Sequence, residues 1–429
     1  MSKKLFSLLL IWGMILSVFV ISLIVSLPNF ERFPIFLMGT IAYSIVLYEV
    51  ILSMRFTFFK RRYNLTDVYK VHGVLGILLL LIVVMHSVIG FSKFGYSSSR
   101  GTIFFGFAAL LSLILIVSTG IVSLSSQFIK NRNIWIKNKR SKMLIIHRLA
   151  IALSILIYLH MLSINDLHHN ILFLFITGIA LMGTLSLYFR EKIAVAKLST
   201  LSLTEHKKVS PYVHQIDLTS DGNVTYDPGQ YFFLRFQNSK LSKEAHPFSY
   251  SSWSSRTVQA FIKESGDFTK QLSYLRTGDK ATVEGPFGAL FPKKTQENDS
   301  PLVMIAGGIG ITPFLSILDW LTEKGSHRKI LLLWSVSYSE ELFLLERIKE
   351  YESALPSFKF VVTITREQTD RYETGRISSD TINKYSDDQM KNSGVFLVCG
   401  PLSMVDSMNQ ILYDCEIEKE RIHSEKFNY

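Results

Sequence analysis

Two apolar stretches, each carrying a pair of histidines, restrict what this 429-residue chain can fold into more than any other feature. The first runs from about residue 68 to 91 and holds His72 and His86; the second runs from about residue 143 to 163 and holds His147 and His160. Each is long enough to cross a bilayer, which takes about 20 residues at about 1.5 Å of rise apiece. An ionisable side chain is costly in hydrocarbon, so a histidine there points to function. One histidine in a buried helix is more often a hydrogen-bonded core residue than a ligand, but two helices each bearing a pair reverse those odds. Neutral imidazoles from two helices can hold an iron from both faces, so the four read as ligands of two haem groups stacked across the membrane. The 14-residue gap from His72 to His86 spans about 21 Å of helix, enough for two metal centres. The phase is uneven. At about 100° per residue, His86 returns to within about 40° of His72, but the 13-residue gap leaves His160 about 140° from His147. The second helix must then be tightened locally, or its two haems approach from different sides.

Six spans are readable, at about 5–27, 33–54, 68–91, 102–124, 143–163 and 170–189. The first is too apolar for too long, with no small-residue cleavage site after it, to read as a signal peptide. Residues 1–192 hold 19 Lys and Arg against 5 Asp and Glu, a net of +14, while the remainder of the chain is at −3. A basic excess often marks a nucleic-acid surface, but here it lies in loops between apolar segments, which is a topology signal. One side has Lys3, Lys4, Arg55, Lys60, Arg61, Arg62, the cluster between Lys130 and Lys142, Arg190 and Lys192; the other has only Arg32, Lys93 and Arg100. The positive-inside rule then puts both termini in the cytoplasm and makes the protein integral to a membrane, expected to be the plasma membrane. Both histidine helices run outward in that topology, so matched depth pairs His72 with His147 as the inner site and His86 with His160 as the outer. The two cysteines, Cys399 and Cys415, form neither a disulfide framework nor a zinc spacing. Nothing in the chain points to nucleic acid, a calcium-binding loop or an obligate regulatory subunit.

After Lys192 the rhythm becomes short alternating strands, at about 213–218, 231–236, 258–263 and 281–284, separated by turn signals such as Asp221-Gly222 and Asp227-Pro228-Gly229. That reads as a small antiparallel barrel. From Pro301 strands alternate with helices: 302–306, a turn, a helix over 312–324, then strands at 330–334, 359–365 and 395–399. The pattern predicts an open parallel α/β domain. The polar stretch at 292–300 divides the two, so the expected domains are a six-helix membrane bundle over 1–192, a barrel over 193–295 and the α/β domain over 296–429.

Gly307-Gly308-Ile309-Gly310 lies where a buried strand meets a helix start. Glycines let backbone approach a pyrophosphate and a helix N-terminus favours its charge, although a tight strand–helix turn has the same composition. The spacing Gly308-x-Gly310-x-x-Pro313 differs from the usual dinucleotide-binding fingerprint. Thr269, in Gly266-Asp267-Phe268-Thr269, can cap a helix and donate to a phosphate, or simply close a turn. His246-Pro247-Phe248-Ser249-Tyr250 opens a strand, and Cys399-Gly400-Pro401 ends one at the edge where parallel sheets bind ligands.

Together these motifs cease to be generic. The cytoplasmic half resembles the ferredoxin–NADP reductase family, and the whole chain resembles the NADPH oxidases and transmembrane ferric reductases. Four helix-borne histidines come first, then Pro228-Gly229-Gln230-Tyr231, HPFSY, Gly266-Asp267-Phe268-Thr269, Glu284-Gly285-Pro286-Phe287-Gly288, GGIGITP and Cys399-Gly400-Pro401, in the family's order. The resemblance implies FAD, two haem b groups and NADPH, with NADH as a further donor. It puts His246, Pro247, Phe248, Ser249 and Tyr250 in the flavin-contacting strand. Lys263, Gly266, Phe268 and Thr269 would lie around the FAD pyrophosphate. Gly307, Gly308, Gly310, Thr312 and Pro313 would form the pyridine-nucleotide turn, with Cys399, Gly400 and Pro401 near the nicotinamide. Glu425-x-Phe427 matches the terminal acidic–aromatic pattern whose ring covers the flavin, with Tyr429 as the alternative gate. Thr365, Arg366 and Tyr372 match the group that holds the 2′-phosphate and adenine, although Ser335-Val336-Ser337 lacks an arginine some oxidases carry. Two departures bear on the acceptor and the path: Leu153 stands where some oxidases place an aromatic between the haems, and Gly90 where superoxide-forming relatives often carry histidine. The implied activity is electron transfer from NADPH to oxygen with superoxide as product. A ferric chelate or an external partner protein is the alternative acceptor.

Overall fold

The computed structural model describes residues 3–26, 30–54, 65–94, 99–128, 146–196, 200–242 and 244–427. Arg55, Lys60 to Arg62, the basic cluster from Lys130 to Lys142, the start of the fifth expected span and Tyr429 lie outside the described residues. The chain divides into two compact units, one up to residue 196 and one beyond it.

Among the described residues, six apolar helices make up most of the first unit: α1 (Lys3–Ser26), α2 (Phe33–Ser53), α3 (Leu65–Phe94), α4 (Arg100–Phe128), α5 (Ala150–Leu162) and α6 (Ile171–Ala196). Among the described residues five of them are long and apolar enough to cross a membrane, and α5 is a shorter apolar helix of 13 residues. α2 is central, with 67% of its span buried against 11% for α3. Outward-facing apolar residues recur at helical spacing, as in Phe6, Leu10, Met14, Val18 and Ile21 of α1. Such stripes suit a lipid environment and would be a liability in water. Just after His147 the helix is broken at Arg148–Leu149, where Leu149 N–H donates to the Ile146 carbonyl at 2.9 Å, an i→i+3 bond. A tightened turn advances about 120° per residue, so part of the phase mismatch between His147 and His160 is taken up there.

The second unit opens with a six-stranded antiparallel sheet: β1 (Thr200–Ser210), β2 (Val213–Thr219), β3 (Tyr231–Phe236), β4 (His246–Ser249), β5 (Thr257–Lys263) and β6 (Lys280–Phe287), in the order β4-β3-β6-β1-β2-β5. Past β4, the Ser251 N–H donates to the Gln259 carbonyl of β5 at 2.9 Å and draws the two edges together. β1 is not legible in the sequence because its second half, Glu205-His206-Lys207-Lys208, is charged and mostly exposed.

The parallel sheet follows, with β7 (Leu302–Gly307), β8 (Ile330–Val336), β9 (Phe358–Ile364), β10 (Glu373–Thr374), β11 (Val395–Pro401) and β12 (Ile422–Phe427) in the order β10-β9-β8-β7-β11-β12. β7 alternates between two cores. Leu302, Met304 and Ala306 face the side that packs helix Thr312–Glu323, and Val303 and Ile305 face the side that packs helix Leu402–Asp414. Both faces are covered, as a parallel sheet requires. The strand order reverses between β7 and β11, and ligands bind such sheets outside the carboxyl ends at that point. The two halves of this unit are pinned by Arg347, which donates to Gln259 at 2.8 Å and to the Ser251 carbonyl at 3.1 Å while pairing with Asp319 at 2.9 Å.

Candidate functional site

The four intramembrane-type histidines meet in two pairs. Ring centroids of His72 and His147 are 5.8 Å apart, and those of His86 and His160 are 6.5 Å apart, each pair at a steep interplanar angle. An iron between two imidazoles, with bonds of about 2 Å and a further 1 Å or so to each ring centre, needs a separation of about 6 Å.

Every one of these rings has its Nδ1 engaged. His86 lies 3.1 Å from the Ile35 carbonyl, His147 3.0 Å from that of Ile116 and His160 3.0 Å from that of Thr102. His72 instead faces a carboxylate, Glu49 of α2. A carbonyl oxygen only accepts, so Nδ1 carries the proton in the first three, and Nε2 is left unprotonated. The seats share one construction. Each accepting carbonyl is followed four residues later by a glycine: Gly39 after Ile35, Gly106 after Thr102 and Gly120 after Ile116. A Cβ on these glycines would lie 3.3, 3.1 and 3.2 Å from the Cε1 of His86, His160 and His147 respectively. Tyr158 sits on α6 in the same way, with its hydroxyl donating to the Leu174 carbonyl above Gly178. The same seat therefore takes a tyrosine as well as three histidines. Gly39, Gly106, Gly120 and Glu49 are residues that sequence reading misses. The signal available is spacing, since Gly106 and Gly120 stand 14 residues apart, as do His72 and His86.

In the antiparallel sheet, β4 alternates: Pro247 is exposed, His246 and Phe248 are half-buried, and Ser249 is buried. The His246 ring stacks on Phe268 at 3.9 Å, and Phe248 lies 6.2 Å from the same ring. Ser249 Oγ is buried and makes no hydrogen bond among the described residues, which suits a ligand with polar atoms on that side. Tyr250 is placed differently from the rest of its motif, inside the core and stacked on Tyr226 at 3.8 Å. Thr269 caps its helix, Asp267–Gln271, accepting from the N–H groups of Ser265 at 2.9 Å and Gly266 at 3.0 Å. Lys263 pairs with Glu341 at 2.8 Å, and together with Gly308, Ile309, Tyr212 and Phe343 they line a hollow.

At the switch point, residues 307–310 and 399–401 close on each other backbone to backbone. A Cβ on Gly310 would overlap the Cys399 carbonyl, and one on Gly400 would lie 3.2 Å from the Gly307 backbone. The turn is held by Trp334 Nε1, which donates to the Gly308 carbonyl at 3.0 Å, and by Thr312, whose hydroxyl donates to the Ile309 carbonyl at 3.0 Å. Pro313 occupies the first turn of the following helix, where its missing N–H costs nothing. Arg366 is exposed past the end of β9, beside a Glu367 whose carboxylate accepts from the Ser339 N–H at 2.8 Å; Tyr372 packs against the sheet's core.

Cys399 is wholly buried, and burial together with nearby Glu425 pushes its thiol up. In register, Cys399 faces Glu425 and Pro401 faces Phe427, whose ring lies outside what the structure describes. Glu425 reaches Gly288, whose Cβ would lie 3.0 Å from its Oε1. Its Oε2 is inaccessible and without a hydrogen-bond partner among the described residues, and burial pushes the carboxyl up to about 8 from an ordinary 4.5. The native state therefore binds a proton that the unfolded chain has lost between those values, and stability falls as pH rises through that window. Glu425→Gln is expected to flatten the decline in melting temperature between about pH 5 and 8, measured by thermal unfolding of the full chain.

Comparison with known proteins agrees with this layout. Residues 193–310 match the FAD-binding domain family, and residues 304–410 match the oxidoreductase NAD-binding domain family. The 2-halobenzoate 1,2-dioxygenase electron transfer component of Burkholderia cepacia is 27% identical over 54% of this chain and 68% of its own length. A component of the Na(+)-translocating NADH-quinone reductase of Pseudoalteromonas atlantica is 32% identical over 38% of this chain and 40% of its own. The chain thus spans from two-fifths to about two-thirds of these relatives' lengths. A flavohemoglobin from Malassezia yamatoensis, solved with FAD and heme, shares the fold at a TM-score of 0.51 and 18% identity, over 99% of both chains. The second unit thus carries the FAD- and NAD-binding domains of an oxidoreductase.

Proposed function

We propose that the chain carries electrons from cytoplasmic NADPH through FAD and two haem b groups to oxygen on the opposite side of a membrane, yielding superoxide. The reading is carried by one observation: two imidazole pairs at iron-bridging separation, all four Nδ1 atoms engaged, on apolar helices that precede the flavin and nucleotide domains. His72 and His147 would hold the inner haem and His86 and His160 the outer, through their Nε2 atoms. The seats fix the rings before any metal arrives, so little ordering remains to be done on binding. His246, Phe248 and Ser249 would line the flavin, and Lys263 would balance its phosphates once drawn from Glu341. Residues 307–310 and 399–401 would receive the nucleotide, and Phe427 would cover the flavin until the nicotinamide displaces it. Both termini would be cytoplasmic, in the plasma membrane.

Exposed Arg366 would take the 2′-phosphate of NADPH with its forked donors. A charge-assisted hydrogen bond contributes about 1.5–3 kcal/mol, so Arg366→Ala is expected to raise the KM for NADPH about 10- to 100-fold and leave that for NADH near the wild-type value. Steady-state kinetics with both donors check this.

A ferric chelate is the second reading of the acceptor. Gly90 favours it: no histidine stands there, and a Cβ at this position would lie 3.1 Å from Ile35 Cδ1. The deciding experiment is NADPH-driven reduction of cytochrome c by the purified, FAD-loaded protein, with and without superoxide dismutase. Abolition by the dismutase is the expected result. Resistance to it would move the ferric chelate to the front.

A further inference from the structure

The four imidazole seats are not alike. Three offer a neutral backbone carbonyl to Nδ1, and the fourth offers the carboxylate of Glu49. Glu49 is only 8% exposed, on a helix otherwise made of apolar and small polar residues. A carboxylate in such surroundings is costly unless paired, and a carbonyl-and-glycine seat of the kind used three times over would have positioned His72 without that cost. Its placement follows the same spacing as the ligands: Ile35, which accepts from His86, and Glu49, which faces His72, stand 14 residues apart on α2.

We propose that Glu49 is a positioning residue that sets the reduction potential of the His72–His147 centre below that of the His86–His160 centre. This rests on the di-haem reading above. A carboxylate sharing the Nδ1 proton makes the ring a stronger donor through Nε2, and added negative charge favours the oxidised, more positive iron. No covalent bond changes: the iron gains or loses one electron while the proton stays between Nδ1 and the carboxylate. The outer imidazoles, both on neutral carbonyls, lack this push. Electrons arriving from the flavin side would thus meet the lower potential first and move toward the higher one, so a single side chain gives the path its direction.

The test compares full-length wild type, Glu49→Gln and Glu49→Asp in detergent, by haem content per chain and by spectroelectrochemical titration. Glu49→Gln keeps a hydrogen-bond acceptor and loses the charge. It is expected to retain both haems and to raise the lower potential alone, by a tenfold or greater change in the reduction equilibrium, about 59 mV for one electron. Glu49→Asp should move the same potential by less. Both haems retained with neither potential moved, or both moved equally, would overturn the proposal and leave the di-haem reading standing. A wild-type protein without haem would overturn both. Should Glu49→Gln lose the inner haem, Glu49→Asp decides: a shift confined to the lower potential upholds the role, and unchanged potentials reject it.

Discussion

His86→Ala is expected to purify with half the wild-type haem and with its flavin still bleached by NADPH. On the di-haem reading, removing His86 would remove one of the two protein bonds to the outer iron, a larger loss than the about 10- to 100-fold in metal affinity that a missing outer-shell partner costs. Transfer to any external acceptor should therefore drop more than about 100-fold, while flavin reduction in the second unit is untouched. Gly39→Leu probes the same site through its seat. Its Cβ alone would come within 3.3 Å of His86 Cε1, tighter than an ordinary contact, so the added side chain is expected to press on the ring. The expected spectrum is that of His86→Ala, with His86 still present. Full haem content in His86→Ala would break the pairing of His86 with His160.

Gly310→Val should produce the opposite phenotype, with haem retained and NADPH no longer served. A Cβ at position 310 overlaps the Cys399 carbonyl and comes 2.8 Å from Gly400 Cα, both backbone atoms of a central strand. Such atoms cannot swing aside as a flexible side chain would. Overpacking of this kind costs about 1–3 kcal/mol, which is a loss of about 5- to 150-fold in nucleotide affinity if it falls on the turn. Stopped-flow flavin reduction against NADPH concentration separates this from a folding defect, since dithionite should still reduce both flavin and haem. Wild-type reduction kinetics would mean that the nucleotide does not use this turn.

What can be read from the sequence is what side chains announce. The strand starting at Leu302, the turn at residues 307–310 and the end of the strand at Cys399 are legible from apolar runs broken by glycines, and the sheet places them side by side. The antiparallel strands are legible where apolar residues run between turn signals, as in Tyr231–Phe236, and not where charge fills half the strand, as in Thr200–Ser210. The imidazole seats are harder to see because their accepting atoms are backbone carbonyls, which any residue carries. Only the glycines betray them, and a glycine in an apolar helix serves many other ends. Glu49 is visible as a lone acid in an apolar span, but its partner depends on how α2 meets α3, which sequence periodicity does not fix. The tightened turn at Leu149 takes up part of the mismatch left by a 13-residue gap.

The most direct measurement is an anaerobic spectrum of the purified full-length protein, loaded with FAD, before and after addition of NADPH. The expected result is two b-type haems per FAD, both reduced as the flavin bleaches. Flavin bleaching with no haem band at any stage would contradict the membrane half of the electron path.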